Sequence, residues 1–202
     1  MQPQNIKIII IKKFIFFTSV LLLFVNAISI NIKLKENNTK SYPKFLEYNI
    51  PYLQNNFVAF KQALAFKESQ GNYTVVNTLG YLGKYQFGRT TLERFEIYDT
   101  EGFLQDPELQ EKAFTALCKV NKWILRKDIK RSVGKTINGI EITESGILAA
   151  AHLGGAGNVK KFLRSNGKKT FSDAYGSSIQ VYLKKFAGYD VSNIVADRKA
   201  KA

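Results

Sequence analysis

Apolar residues recur at helical spacing through most of the chain from residue 56 onward. Phe57, Phe60 and Leu64 share one helix face, which predicts a first helix that stops at Gly71. This helix places Glu68 in its last turn, where the negative end of the helix dipole opposes a carboxylate. An acid at that position is unusual and is therefore a candidate for chemistry.

A longer helix is predicted to begin at Asp106 and Pro107, because an aspartate caps free N–H groups and proline suits the first helical position. Its apolar stripe is typical of a core helix and comprises Leu109, Ala113, Ala116, Leu117, Val120 and Ile124. Between the two helices, residues 71–89 contain four glycines among polar and aromatic residues. This composition predicts an irregular loop with at most short strands.

The last third of the chain predicts a small hairpin followed by helices. Asn138-Gly139 is a hairpin turn, and Thr143 is the expected cap of the next helix. Three glycines interrupt that helix before helical spacing resumes at residues 159–163, namely Gly154, Gly155 and Gly157. A last helix carries Ile179, Tyr182, Leu183 and Phe186 on one face. The predicted fold class is therefore mainly α, an α+β arrangement with one small β-hairpin.

The first 27 residues have the order of a secretory signal peptide. Three lysines precede a short apolar run from Phe14 to Val25, and Ala27 is a small residue suited to cleavage. The run is shorter than the ~20 residues that span a bilayer, although residues 8–11 could extend it into an uncleaved anchor. We expect a signal peptide over 1–27, a linker over 28–55, a domain over 56–190 and a basic tail over 191–202. No stable membrane span is expected after cleavage.

Composition limits the chemistry further. Of 202 residues, 45% are apolar, enough for one sizeable core. A single histidine and a single cysteine exclude a zinc site built from several such ligands, and the sequence implies no cofactor. Lysine and arginine number 30 against 16 acids, which favours anionic partners. Because an exported protein does not ordinarily meet genomic nucleic acid, we expect a polymer of the envelope rather than DNA or RNA.

One face of the long helix carries cations at steps of three and four residues, which are Lys119, Lys122, Arg126 and Lys130. Such a face is either a solvated surface or a binding site for an anionic envelope polymer. The second interpretation would make the chain a basic, polyanion-binding envelope protein.

Four separated segments carry the candidate catalytic residues. In chain order they are Lys67-Glu68-Ser69 with Gly71 and Tyr73, Gly83-Lys84-Tyr85-Gln86, the stretch from Ala151 to Leu163, and Tyr182. In this order and spacing they resemble the lytic transglycosylases of the lysozyme-like superfamily, which cleave the glycan strands of peptidoglycan. The resemblance covers residues 57–189.

The resemblance implies a lysozyme-like fold with a substrate cleft between the Glu68 helix and the glycine-rich loops. It implies that Glu68 is the catalytic general acid and later base, acting on peptidoglycan in the bacterial envelope, periplasmic or secreted. The residues expected to bind or orient the substrate are Ser69, Tyr73, Gln86, His152, Gly154, Gly155 and Tyr182. His152 and Leu153 replace a Tyr-Asn pair of the family, which keeps open a wall-binding protein of this fold without turnover.

Glycosidic cleavage needs an acid that protonates the leaving oxygen, and a carboxyl group does so at neutral pH only where its surroundings keep it protonated. Hydrolysis normally needs a second carboxylate, yet residues 71–92 contain no Asp or Glu. Of the next acids along the chain, only Asp99 or Glu101 could reach the cleft, on a loop that folds back. We therefore expect 1,6-anhydromuramyl products, with a hydrolytic muramidase as the alternative.

Overall fold

The computed structural model describes residues 55–202, and this part of the chain is mainly helical with one two-stranded antiparallel hairpin. In chain order the elements are α1 (Phe57–Ser69), α2 (Arg89–Glu93), α3 (Thr100–Gln105), α4 (Pro107–Ser132), β1 (Thr136–Ile137), β2 (Ile140–Glu141), α5 (Glu144–Arg164) and α6 (Ile179–Lys185). The mainly helical class and the hairpin predicted from the sequence are confirmed. The expected signal peptide and nearly all of the expected linker lie outside the described residues.

Side-chain caps explain where the helices begin. Asp106 accepts a hydrogen bond from the Leu109 N–H at 2.9 Å, and Thr143 accepts one from the Gly146 N–H at 3.1 Å. Each cap satisfies a backbone donor that the helix leaves free and contributes about 1 kcal/mol. The predicted starts of α4 and α5 are therefore confirmed.

The start of α1 is capped by Asn56, and its end is set by left-handed backbone at Gln70 and Gly71, with φ of 56° and 81°. Left-handed backbone ends a helix because it turns the chain away from the axis. A stop at Gly71 would allow a helix through Gln70, and the helix instead ends at Ser69. Glu68 lies in its last turn, as predicted.

The core forms where α5 packs against both α4 and α6. Aromatic residues from all parts of the described chain meet there, including Phe60, Phe114, Phe162 and Phe186, each fully buried. On α4 the predicted stripe is buried at Ala113, Ala116 and Val120 and partly buried at its other positions. The amphipathic pattern of α4 therefore predicted its packing face correctly.

A kink divides α5 at Gly155, whose backbone has φ of 75° and ψ of 152°. Only glycine adopts this conformation readily, so the helix changes direction there and then continues to Arg164. The predicted interruption is confirmed and is localised to this one residue.

Two short helices, α2 and α3, were not expected from the sequence. They span five and six residues, too few for an apolar period to repeat. The loop before them has no named strand and is organised by isolated bridges between Val76 and Leu82 and between Leu82 and Phe87. The expectation of an irregular loop with at most short strands is met up to residue 88.

Residues 191–202 differ from the expected basic tail. Val191 and Ile194 are buried in the core, and the N–H of Asp197 donates to the carbonyl of Lys119 on α4 at 3.1 Å. Two apolar residues in a short segment gave too little periodicity to predict this docking. The segment packs against the helical body although it forms no regular helix or strand.

Within residues 55–202, no helix combines the length and the apolar character that a membrane crossing requires.

Candidate active site

Glu68 meets the predicted tyrosine across the core. The Tyr182 hydroxyl, on α6, donates a hydrogen bond to Glu68 Oε1 at 2.6 Å. Burial and the nearby charge of Glu68 raise the pKa of Tyr182, so its hydroxyl remains a proton donor. Because this bond occupies Oε1, a proton on the Glu68 carboxyl group is expected on Oε2.

A cavity of about 100 Å³ opens beside Glu68 and is lined also by Tyr81, Gln86, His152 and Tyr175. It adjoins a larger cavity of about 500 Å³ that shares Tyr81, Gln86 and His152 with it. Residues from three of the four predicted segments therefore line these two adjoining cavities. The fourth, Tyr182, lies directly behind Glu68.

His152 forms part of the wall between the two cavities. Its Nε2 lies 2.8 Å from the Tyr85 carbonyl oxygen, and because a carbonyl only accepts, Nε2 is assigned the proton. Burial lowers the pKa of His152, although the charge of Glu68 opposes this effect. A neutral ring of this tautomer leaves Nδ1 as an acceptor, and Nδ1 is buried without a hydrogen-bond partner.

Ser69 and Gln86 hold the loop rather than the carboxyl group of Glu68. The Ser69 hydroxyl donates to the Lys84 carbonyl at 2.7 Å, and Gln86 Nε2 donates to the Gly83 carbonyl at 2.9 Å. Gln86 has a φ of 50°, a left-handed conformation that costs free energy in a residue other than glycine. Both side chains thus hold the backbone around Lys84, and Gln86 in addition lines both cavities, so its contact with a substrate stays a prediction.

Tyr73 does not line the cavity beside Glu68. Its hydroxyl donates to Glu111 Oε1 at 3.0 Å. Tyr73 lies four residues after the end of α1 and contacts Glu111 instead of the cavity beside Glu68. Proximity along the chain was therefore misleading for this residue.

Glu111 on α4 is the centre of a polar group that we call the Glu111 cluster, formed by Glu111, Lys61, Tyr73, Lys84 and Tyr85. Lys61 and Lys84 approach the carboxylate at 2.6 and 2.7 Å, and Tyr85 donates to both oxygens at 2.9 Å. Burial opposes ionisation of Glu111, but these hydrogen bonds outweigh it and lower its pKa to about 2. The cluster fixes α1, the loop and α4 to one another.

The Glu111 cluster was not expected from the sequence, although Lys84 gave one signal. It lies between Leu82 and Phe87, and a lysine that is buried with such neighbours needs a counter-charge. The Lys84 side chain is only 4% exposed. The backbone carbonyls of Lys84 and Tyr85 accept from Ser69 and His152, so the cluster supports the wall of the site.

The two glycines predicted for the site, Gly154 and Gly155, allow a close side-chain contact and a backbone kink, respectively. A Cβ at Gly154 would lie 2.8 Å from the Phe171 ring, so the ring packs directly on the glycine. Gly155 lines the larger cavity at the kink of α5. Of the two, Gly155 lines a cavity of the site, whereas Gly154 lines neither of the two cavities.

One further acid lines the cavity beside Glu68, and it is neither of the two named from the sequence. Asp99 caps α3 through the Gly102 N–H at 2.9 Å, and neither it nor the exposed Glu101 lines the cavity with Glu68. Asp173 does line this cavity, and its Oδ1 accepts from the N–H groups of Tyr175 and Ser177 at 3.0 and 2.7 Å. No motif marks Asp173 in the sequence, because it lies in an irregular segment.

The basic face of α4 is partly engaged within the protein. Lys122 pairs with Glu144 at 2.9 Å and donates to the Val191 carbonyl at 3.2 Å. The Arg126 guanidinium lies 4.1 Å from the centre of the Trp123 ring. Lys130 remains exposed. The four cations therefore do not form one uniform free surface.

Among residues 55–202, no group of three or more His, Cys, Asp or Glu side chains could hold a metal ion. The chain matches no model of a known protein family, and no curated protein and no solved structure matches it.

Proposed function

We propose that this chain is an exported enzyme of the bacterial envelope that cleaves the MurNAc-GlcNAc β-1,4 bond of peptidoglycan with Glu68 as general acid and base. The hydrogen bond between Tyr182 and Glu68 carries the proposal, because it joins residues 114 positions apart beside a cavity lined by Gln86 and His152. Long-range convergence of this kind is expected of a site and not of a chance Glu-Ser pair.

The arrangement supports acid catalysis at one oxygen of Glu68. Oε1 is occupied by the Tyr182 hydroxyl, so Oε2 is the atom that would carry the proton to the leaving sugar oxygen. The neutral His152 beside it adds no positive charge that would favour the carboxylate. General acid catalysis by a positioned carboxyl group contributes about 100-fold or more to the rate.

With Glu68 alone, the reaction proceeds through an internal nucleophile. Oε2 gives its proton to the glycosidic oxygen as the bond from that oxygen to C1 breaks. The carboxylate then takes the proton of the muramic acid C6 hydroxyl, whose oxygen closes on C1 to form the 1,6-anhydro ring. An internal hydroxyl held in line replaces a bound water at high effective concentration.

A hydrolytic muramidase is the second candidate, and Asp173 favours it. Hydrolysis by two carboxyl groups needs them ~5 Å apart for a nucleophile or ~6.5–9.5 Å apart for activation of water. Asp173 lines the same cavity as Glu68. In this version water supplies the oxygen at C1, and the product has a free reducing end.

Glu68→Gln is the direct test, since the amide keeps the shape of the side chain and cannot donate the proton. We expect release of soluble products from purified sacculi to fall at least about 100-fold, with binding to sacculi and the circular dichroism spectrum retained. Glu141→Gln, an exposed acid on β2, is the matched control and should retain turnover. A wild-type protein that binds sacculi without releasing products would be a wall-binding protein instead.

Mass spectrometry of the products separates the two enzymatic versions. We expect 1,6-anhydromuramyl ends from both the wild type and Asp173→Asn. Free reducing ends, lost together with activity in Asp173→Asn, would show that the two-carboxylate mechanism operates.

A further inference from the structure

Three neighbouring cavities follow one another from Glu68 past His152 and along α4 and α5, and we call this row the groove. The cavity of about 500 Å³ shares His152 with the first cavity, beside Glu68, and shares Thr91 and Asn121 with a third cavity of about 430 Å³. Glu68 also lines a further cavity of about 410 Å³, together with Lys67 and Lys185. We call the second and third cavities the distal arm, which carries Arg89, Arg94 and Lys160.

The first cavity and the distal arm are lined by residues of opposite charge. Glu68 and Asp173 are the charged residues that line the first cavity. In the distal arm the charged residues are the three cations, and among the described residues that line it none is acidic. This division of charge orients a bound polymer, because the anionic parts of the polymer favour the cationic distal arm and its neutral parts favour the first cavity.

The cations of the distal arm are not neutralised by the ion pairs of residues 55–202. Those pairs involve Lys61, Lys84, Lys112, Lys122, Arg131 and Arg164. Arg89 donates to the neutral Thr100 hydroxyl at 3.1 Å. Asn121, a buried amide on α4, adds a polar wall where the second and third cavities meet. The arm therefore presents positive charge and hydrogen-bonding groups together.

We infer, on the basis of the proposed function, that the distal arm binds the carboxylate groups of the peptides attached to peptidoglycan strands. Sugar hydroxyls are neutral and would leave three cations without counter-charge. Because the arm adjoins the cavity of Glu68, the anion that fills it is one attached to the strand being cut. The enzyme then prefers peptide-bearing strands whose carboxylates are ionised.

The test uses two preparations of soluble strands that differ only in charge. Both have their amines acetylated, and in one the peptide carboxylates are converted to amides. For the double variant Arg94→Gln/Lys160→Gln, we expect the ratio of kcat/KM on charged over amidated strands to fall about fivefold to tenfold, mainly through KM. For the wild type, the same ratio should fall as salt is raised from about 50 to 200 mM.

The matched control is Lys130→Gln/Lys161→Gln, which removes the same charge from exposed positions on the same long helices outside the groove. It should leave the ratio at the wild-type value. An unchanged ratio in Arg94→Gln/Lys160→Gln, or an equal fall in both double variants, would overturn the inference, the latter because it indicates general attraction of a polyanion. Either result leaves the proposed function intact as long as Glu68→Gln is inactive on amidated strands.

Discussion

Glu68 and Glu111 are both helical glutamates that accept hydrogen bonds from tyrosines, and the rest of their surroundings differ. Glu111 is held by Lys61 and Lys84 and by two tyrosines, so its carboxylate is fully engaged. Glu68 has one tyrosine donor and faces a cavity. A carboxyl group saturated with cations stays ionised and stabilises the fold, whereas one with a free oxygen beside a cavity can exchange a proton with a substrate.

The largest effect on stability is expected from Glu111→Gln. The amide leaves Lys61 and Lys84 without a counter-charge, and the side chain of Lys84 is almost fully buried. Removing one partner of a buried ion pair is strongly destabilising, and since Glu111 is 24% exposed we expect a loss of about 2–3 kcal/mol. Urea unfolding measures this as a lower midpoint.

Glu108→Gln is the matched control, because Glu108 is one turn earlier on α4 and its pair with Lys112 is exposed. It should leave the unfolding midpoint close to that of the wild type. Equal shifts in the two variants would mean that the Glu111 cluster has no special role in stability.

Acid should weaken the contribution of Glu111 to stability. The pKa of Glu111 is lowered from 4.5 to about 2, so its ionised form contributes stability that is present above about pH 4.5 and is lost as pH falls toward 2. We expect this contribution to be about 2–3 kcal/mol. The free energy of unfolding, measured between pH 2 and 6, should fall less steeply in Glu111→Gln than in the wild type. Parallel curves would contradict the low pKa.

A smaller effect, on the reaction and not on the fold, is expected from Tyr182→Phe. The change removes the donor to Glu68 Oε1 and keeps the ring in the core. We expect kcat to fall about tenfold and its pH profile to shift, with a stability loss of about 1 kcal/mol. Tyr85→Phe removes a hydroxyl from Glu111 instead, and it should lower stability without shifting the pH profile. A shift of the pH profile of kcat in both Tyr182→Phe and Tyr85→Phe would mean that Glu68 and Glu111 are not independent.

The parts of the fold that were predictable rest on local signals. The caps at Asp106 and Thr143, the Asn138-Gly139 hairpin and the break at Gly155 each depend on residues within a few positions of one another. The position of Glu68 at a helix end was likewise predictable from residues close to it in the sequence. Tyr182 was named as a site residue through the resemblance, and in the structure its hydroxyl donates to Glu68.

The parts that were missed depend on contacts between distant segments. The Glu111 cluster joins residues from 61 to 111, and Asp173 reaches the cavity from an irregular loop, so neither leaves a periodic pattern in the sequence. For the same reason Tyr73 was expected to bind or orient the substrate, whereas its hydroxyl donates to Glu111. Val191 and Ile194 were assigned to a tail because two apolar residues do not define a face.

The most direct measurement compares the rate of product release from sacculi by Glu68→Gln and by Glu111→Gln, each expressed per folded molecule. We expect Glu68→Gln to be fully folded and at least about 100-fold slower than the wild type, and Glu111→Gln to be less stable yet much closer to the wild-type rate. Turnover by Glu68→Gln within about tenfold of the wild type would contradict general acid catalysis by Glu68.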